Sequence, residues 1–598
     1  MDVTRENFEQ LLPSIQNDID KATFISIDGE FTGVTSYTEL TPFDTLTEYY
    51  TKFRTGSKDH LLIQLGLSIF TYDDDTKSYR NKCYNLYAFP KPHSRQAANF
   101  SFLSQTSSMI FLAEQGFDFN KLFRYGIPYL TKDEESYLYE QMEEKNKLRE
   151  AGNLNEQNHI SVPDNDKEFV DKISKNVEEF LESEENELIL DRCNSFLRRL
   201  LYQELEARFK NKLFLETRTL ENHNAVLVVQ KALTPEQLAE KEAQRKEREQ
   251  CELKESVGLS RLIQYLSQSG KLIVGHNMLL DIMHIIKQFF GPLPEDYQDF
   301  KDLVHDLFPR IVDTKVLSNA PVFKDKINSS VLGHLLATCS EEPFKIPTIE
   351  QDNKEFGYKD NESKEHEAAY DAFITGKCFL SMVNYLKNTE DENWSFDLEV
   401  ISPFINAIHL MRLHDIPYMK LNGKDVVPSR NHVFHVTFPK EWKTTDVSQL
   451  FSAYGTVQVF WLTDGTAFVA LHRKENASAA LKAFSKNTST NYKVQSYYQY
   501  RGLNQGPDLN NTPKNHKVDL KAGSHLSSKD EVLCKVGQKR RLPSESSSQA
   551  KEFSFKPSEL DKYGPSTKVP RKGSKSESDA EKNQKSSSGV FNISDDWN

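Results

Sequence analysis

No two of the six cysteines (Cys83, Cys193, Cys251, Cys339, Cys378 and Cys534) stand close enough in sequence to form a CxxC or similar pair. That spacing argues against a zinc site and a disulfide framework, and it points to a reducing, intracellular compartment. No stretch approaches the ~18 uninterrupted apolar residues of a membrane-spanning helix. The opening residues, Met1-Asp2-Val3-Thr4-Arg5-Glu6, lack the basic region and apolar run of a secretory leader. The expectation is a soluble chain that is not secreted. Positive charge is not in excess either: the formal net charge is -13 and the mean hydropathy -0.62. The balance is uneven, because from Arg501 onward 18 Lys and Arg face 13 Asp and Glu. Acidic helices and linkers can carry the surplus while a groove stays basic, so net charge does not exclude nucleic acid.

The chain has 598 residues, enough for about three or four domains, and a 37% hydrophobic content can supply their cores. A charged fraction of 27% leaves room for substantial linker or tail. Strands are expected at Thr23–Phe31, Leu61–Phe70 and Tyr84–Phe89, with Asp73-Asp74-Asp75 as a turn, giving a meander. Residues 94–131 read as helical, and 133–167 as an exposed helix followed by a polar linker. A compact unit at 169–233 combines helical periodicity around Phe180 and over Phe196–Leu205 with strands at Leu213–Glu216 and Ala225–Val229. A charged helix, Pro235–Lys254, closes it. The earlier sheet-and-helix pattern then resumes, so the unit reads as an insertion. After Val426 comes a β-α-β-β-α-β order, from His432–Phe438 to Tyr492–Val494, the ferredoxin-like order of an RNA-recognition motif. Beyond Gly502 the Ser-, Lys-, Asn- and Pro-rich tail reads as disordered, with basic clusters at Lys539-Arg540-Arg541 and Lys568–Lys572 that suit nuclear import.

Asp28 and Glu30 end the first strand with one glycine between them. Side chains alternate in face along a strand, so both carboxylates lie on one side, about 7 Å apart along the backbone. Acids that close repel unless something positive sits between them, although solvated strand ends carry such pairs too. After the strand Lys271–Gly275, Asn277 is expected to cap a helix that carries Asp281 among apolar residues. A lone acid there is costly to bury, so it lies at an exposed edge or binds a cation. Asp371 stands in a similar apolar helix, five positions after His366. Positions five apart differ by about 140° on a helix, which puts His366 on the preceding loop or first turn. Four carboxylates from three segments can hold two Mg²⁺ ions, and a histidine beside them can take a proton from water. His284 and His334 read as satisfied core histidines, and His276 as a structural hydrogen-bonder at a strand-helix turn.

Ser-Ile-Asp-Gly-Glu-Phe at 26–31, Gly-His-Asn-Met-Leu-Leu-Asp at 275–281 and His-Glu-Ala-Ala-Tyr-Asp at 366–371 resemble the motifs of the DEDD exonuclease superfamily. The tyrosine subclass places Tyr four positions before the last Asp, where Glu367 stands here. His366 at five positions makes the resemblance one to the histidine subclass, with Tyr370 a bystander. With the inserted unit and the recognition motif, about residues 1–500 resemble the poly(A)-specific ribonucleases of that superfamily.

The resemblance implies an α/β fold: an RNase H-like mixed-sheet exonuclease domain at 1–165 and 236–425, interrupted at 166–235 by an α+β domain of the Arg-x-x-x-His type. An RRM-like cap/RNA-binding domain follows at 430–500, then a tail at 501–598. It further implies a homodimer, found in nucleus and cytoplasm. It also implies an enzyme that removes 3′ poly(A) tails with two Mg²⁺ ions per site, releases 5′-AMP and is stimulated by a 5′ 7-methylguanosine cap. Asp28, Glu30, Asp281 and Asp371 become metal ligands, His366 the general base, and Phe31, Asn277 and Lys315 substrate contacts.

Two units depart from the pattern. Arg198 is followed at the expected spacing by Tyr202, and Arg199 by Gln203, so a structural or dimer-supporting role stands beside single-strand binding. Asp464–Leu471 keeps the Gly, Ala, Phe and Val of the recognition motif but lacks its leading basic residue and two aromatics, so RNA should stack weakly on this sheet. Trp461, at a strand end, is either a core residue or an indole stacked on the cationic cap base, and the resemblance favours the cap. Gly29 is expected to admit a nucleotide close to the strand, with Phe31 as a wall for the adenosine. The alternatives are a nuclease trimming oligo(A) or the 3′ ends of small noncoding RNAs, and an inactive RNA- or cap-binding scaffold. Five site residues that are costly near one another argue against the scaffold.

Overall fold

A computed structural model of the chain describes residues 1–34, 40–91, 100–150, 161–209, 212–219, 225–232, 234–351, 356–358, 364–387, 398–486 and 491–502. The tail with its basic clusters, Cys534 and the polar linker at 151–160 lie outside the described residues.

The apolar runs at Phe24–Ile27 and Leu62–Phe70 have hydrophobic residues on both faces, the pattern of strands covered on both sides. They become β2 (Phe24–Phe31) and β3 (Leu62–Asp73), preceded by β1 (Asp2–Val3) and followed by β4 (Ser78–Tyr87). β2, β3 and β4 form the expected antiparallel meander. The helix Leu46–Ser57 lies between β2 and β3, where no helix was expected, although Thr45 and Glu48 spell out its capping box. Within 94–131 the described helices are Thr106–Glu114 and Phe119–Tyr125.

The inserted unit holds β5 (Glu187–Ile189), β6 (Leu213–Thr219) and β7 (Ala225–Lys231) in the order β5-β7-β6, packed on the helices Asp164–Glu182 and Ser195–Arg208. Arg198 Nη1 donates to the carbonyls of Cys193 (2.6 Å) and Ala225 (2.9 Å), and Tyr202 Oη to that of Leu215 (2.8 Å). The side chains in the Arg-x-x-x-His positions thus bind the unit's own backbone.

The nuclease sheet resumes with β8 (Leu272–Gly275), β9 (Ile311–Asp313), β10 (Ile349–Gln351), β11 (Ala407–His409) and β12 (Tyr418–Lys420). The order is β1-β4-β3-β2-β8-β9-β11-β12, with β10 also on β4; parallel pairing of β2, β8, β9 and β11 makes the sheet mixed. One apolar layer contains Ile25 and Ile27 with the helices Phe8–Lys21 and Leu279–Phe289. The other contains Phe24 and Phe70 with the helix Ala368–Lys387. β2 is therefore the wall between two helical layers. Among the described residues no helix is long and apolar enough to cross a membrane.

The last domain contains β13 (Val433–Thr437), β14 (Val457–Thr463), β15 (Thr466–Leu471) and β16 (Lys493–Ser496), ordered β14-β15-β13-β16. Its front face is closed. Phe468, 1% exposed, meets Phe43 of the nuclease domain at 5.4 Å between ring centroids, and His435 stacks on Tyr500 at 3.9 Å. This accounts physically for the weak stacking expected there: the face is already covered. Trp461 is 41% exposed, which corrects the core alternative.

Candidate active site

Asp28 and Glu30 continue the face of β2 that begins with Phe24, towards the layer of the helix Ala368–Lys387. That helix begins where it does because β3 and β4 supply its caps: Ala368 N–H donates to Gln64 Oε1 (3.1 Å) and Ala369 N–H to Asn85 Oδ1 (2.8 Å). Gly66, cross-strand partner of Asp28, makes room, since a Cβ there would stand 2.0 Å from the Ala368 carbonyl oxygen. Asp371 follows within the first turn.

His366 lies on the turn before the helix, as the angular argument required, with the left-handed φ of 67°. Its backbone N–H donates to Asp371 Oδ2 (3.1 Å), and its Nδ1 is 3.9 Å from the same oxygen. Ligand atoms of Glu30, His366 and Asp371 lie within 4.8 Å of one another. Phe111 meets the imidazole edge-on at 4.6 Å and is 38% exposed. No motif marked Phe111.

Asp281 arrives from the opposite layer, on the helix Leu279–Phe289. A Cβ on Gly29 would stand 2.8 Å from Asp281 Oδ1 and 2.5 Å from Leu62 Cδ1. The space beside Gly29 therefore admits an aspartate across the sheet, not the nucleotide expected there. Phe31, half-buried, packs against His284 at 4.9 Å.

Electrostatics couple the four acids. Burial first, then the charges of Asp371 and Asp281, holds the Asp28 and Glu30 carboxyls well above the usual range. Burial also pushes Asp281 and Asp371 up to about 7. Asp281 Oδ1 is buried without a hydrogen-bond partner. An orphaned carboxylate oxygen among mutually repelling acids is a donor set that fits a hard divalent cation.

Asp313, at the end of β9, is fully buried and was not singled out from the sequence. It accepts four backbone N–H groups, from Asn277 (2.9 Å), Met278 (3.3 Å), Lys315 (2.9 Å) and His409 (3.0 Å). The carboxylate thus ties together β9, β11 and the turn that launches the Asp281 helix. Asn277 is not the cap it was expected to be: it adopts φ 58°, the helix starts at Leu279 behind Met278, and Asn277 Oδ1 is buried without a partner. Lys315 sits on the adjacent short helix, Thr314–Ser318, where its charge is felt by His276 and His409.

Thr314 Oγ1 donates to the Gly275 carbonyl (3.0 Å) and accepts from His276 Nδ1 (2.8 Å), the structural bond expected of His276. His284 is buried, but neither ring nitrogen has a partner, so it is not the satisfied core histidine of the sequence reading. His334 is exposed and bonded to Ser329 (3.1 Å), hence not in the core.

Comparison with known proteins places the chain in a family. The model of the CAF1 family ribonuclease matches residues 3–379, and that of an RNA binding domain matches residues 423–503. The poly(A)-specific ribonuclease PARN of Xenopus laevis is 41% identical over 514 residues, covering 84% of this chain and 81% of that protein. PARN of Homo sapiens is 42% identical over 520 residues, with the same coverage of 84% and 81%. The pre-piRNA 3′-exonuclease trimmer of Bombyx mori is 28% identical over 524 residues, covering 84% of this chain and 94% of that protein. With well over half of the chain inside the ribonuclease family model and close kinship along most of its length, the chain belongs to the CAF1 family of ribonucleases, in its poly(A)-specific branch.

Proposed function

We propose that this ribonuclease shortens poly(A) from the 3′ end, releasing 5′-AMP, with Asp28, Glu30, Asp281 and Asp371 holding two Mg²⁺ ions and His366 acting as general base. The observation that carries this reading is the arrival of Asp281 and Asp371 from opposite helical layers at the carboxylates of β2. Bound there, divalent cations supply Lewis-acid stabilisation of the developing oxyanions and acidify water for in-line attack. Burial lowers the pKa of His366, so its imidazole is neutral near pH 7 and able to accept a proton. The bond from its N–H to Asp371 fixes the turn that aims the ring. Phe31 and Phe111 offer ring faces to bases, while Lys315 offers charge to a phosphate on the Asn277 side. The name of the PARN relatives, poly(A)-specific ribonuclease, supports poly(A) as substrate.

Trp461 is the proposed cap contact. It lies on edge strand β14, with Nε1 donating to Thr444 Oγ1 (3.1 Å) and the ring edge-on to Phe438 (5.2 Å), a support that fixes the plane of a partly exposed indole. A homodimer in nucleus and cytoplasm belongs to the same reading and rests on the family resemblance and the basic clusters of the tail.

The test is 5′-labelled, poly(A)-tailed RNA incubated with Mg²⁺ or EDTA. Shortening from the 3′ end is expected, lost with EDTA and reduced about 10³-fold or more by Asp28→Ala. Trp461→Ala should weaken a cap analogue about tenfold and leave uncapped poly(A) hydrolysis unchanged. Tight binding without shortening would leave only a scaffold; equal shortening of RNA ending in other nucleotides would favour the 3′-trimming alternative.

A further inference from the structure

A cavity of about 290 Å³ opens at the seam between the nuclease and RRM-like domains, on the side away from Trp461. Three imidazoles and an ammonium line it: His414 from the loop after β11, His432 before β13, and His472 and Lys474 after β15. Asp415 and Gln458 complete its polar lining. His432 is 8% exposed, and its carbonyl accepts from Leu471 N–H (3.0 Å). His414 is exposed but rests against the rings of Phe43 (5.5 Å) and Phe460 (4.6 Å). His472 and Lys474 are open to solvent at the mouth.

The carboxylate in this lining is already engaged. Arg430 donates to both oxygens of Asp415, at 2.7 Å each, so the carboxylate's charge is largely offset by the guanidinium. Burial, opposed by Asp415 and helped by Lys474, holds His414 below its ordinary pKa and pushes His432 down to about 4. A cation entering here would meet Lys474; an anion would meet the N–H groups of Lys474 and the imidazoles.

We propose that this seam cavity is a phosphate seat that takes a phosphodiester of single-stranded RNA outside the catalytic groove. The volume is close to the ~300 Å³ at which small-ligand sites begin, enough for a phosphate with part of its sugar. The adjoining sheet face is closed by Phe43 and Tyr500, so the RNA is held here by its backbone without base readout. A bound phosphate raises the pKa of His414 and His432, so binding takes up protons and tightens as pH falls. His472, Lys474 and Asp415 are the other charged or titratable groups facing the cavity, and Asp415 is paired with Arg430. The seat needs no hydrolysis and does not rest on the proposed chemistry.

The experiment uses the full chain in EDTA with fluorescently labelled U₁₂ RNA, read by anisotropy at pH 6 and pH 8 and over a salt series. The comparison is the double variant His472→Gln/Lys474→Gln, both positions exposed. The variant should bind about tenfold more weakly at pH 6 and show a salt slope shallower by about one, while keeping the gain between pH 8 and pH 6 that His414 and His432 supply. Its shortening of uncapped poly(A) in Mg²⁺, measured separately, should match the wild type, which keeps a failure of the seat distinct from a failure of the catalytic reading. Unchanged affinity and slope in the variant would overturn the seat, as would a wild-type affinity that does not tighten from pH 8 to pH 6. So would inorganic phosphate binding the variant-sensitive site as tightly as U₁₂, which would make it a free-phosphate site, or Zn²⁺ uptake lost in the variant while RNA affinity stays constant.

Discussion

Asp281 and Asp371 hold their protons up to about pH 7 because burial penalises their charge, whereas in the unfolded chain they lose them near pH 4. A folded pKa raised in this way stabilises the cation-free fold at low pH, and that stability disappears as pH rises through about 7. Asp281→Asn removes the charge while keeping the shape. In EDTA at pH 8 it should raise Tm by about 2–4 °C and abolish poly(A) shortening. Mg²⁺ should raise the wild-type Tm more at pH 8 than at pH 6, because protons compete for the same oxygens. Calorimetry checks both, and a lower Tm for the variant at pH 8 refutes the balance. Such acids were legible in the sequence, since a carboxyl in an apolar helix is conspicuous in one dimension. Phe111 was not, because one aromatic in a moderately apolar stretch says nothing of the histidine it meets across the fold. Gly29 was read as a gap, correctly, but its occupant comes from a distant segment and the other face of the sheet.

At the scale of elements, the start of a helix decides where its acid points. Asn277 follows the local capping rule, yet its N–H and that of Met278 go to Asp313, so the turn becomes left-handed and the helix begins later. The long-range carboxylate outcompetes the short-range cap, which is why sequence placed the helix correctly and its first turn wrongly. Asp313→Asn replaces one accepting oxygen with an amide donor facing N–H groups. Losing one or two buried hydrogen bonds costs about 2–4 kcal/mol. The Asp281 carboxylate then shifts, and the Mg²⁺ concentration for half-maximal activity should rise about tenfold, as when a metal ligand loses its support. Measured across a Mg²⁺ titration, an unchanged requirement beside a lowered Tm would make Asp313 a stability residue alone. Strand runs were easier to read: the apolar stretches of β2 and β3 reappear with nearly the expected bounds, because two-sided burial writes itself into a continuous pattern.

At the scale of the whole molecule, the nuclease and RRM-like domains are joined by a clamp that no motif in either announces. Arg430, 3% exposed, bonds both oxygens of Asp415 (2.7 Å each), the carbonyls of Phe43 (2.5 Å) and Asp44 (3.1 Å), and Tyr497 Oη (2.6 Å). Arg501 reinforces it through Glu48 at 2.6 Å. Phe43 is inserted between Phe460 and Phe468, so the face that an RNA-recognition motif would offer to bases is spent on holding the domains together. Removing one partner of such a buried pair leaves the other unpaired and costs about 3–5 kcal/mol. Because that loss falls on the seam and not on either core, Arg430→Ala should split a single unfolding transition into two and open the segment near Val426 and Val427, already exposed, to limited proteolysis. The double substitution Arg430→Met/Asp415→Leu, which fills the same space without charge, should restore much of the single transition. Uncapped poly(A) shortening should persist in both variants, since no catalytic side chain touches the clamp. A single transition and unchanged protease resistance in Arg430→Ala would show that the aromatic packing around Phe43 holds the seam without it.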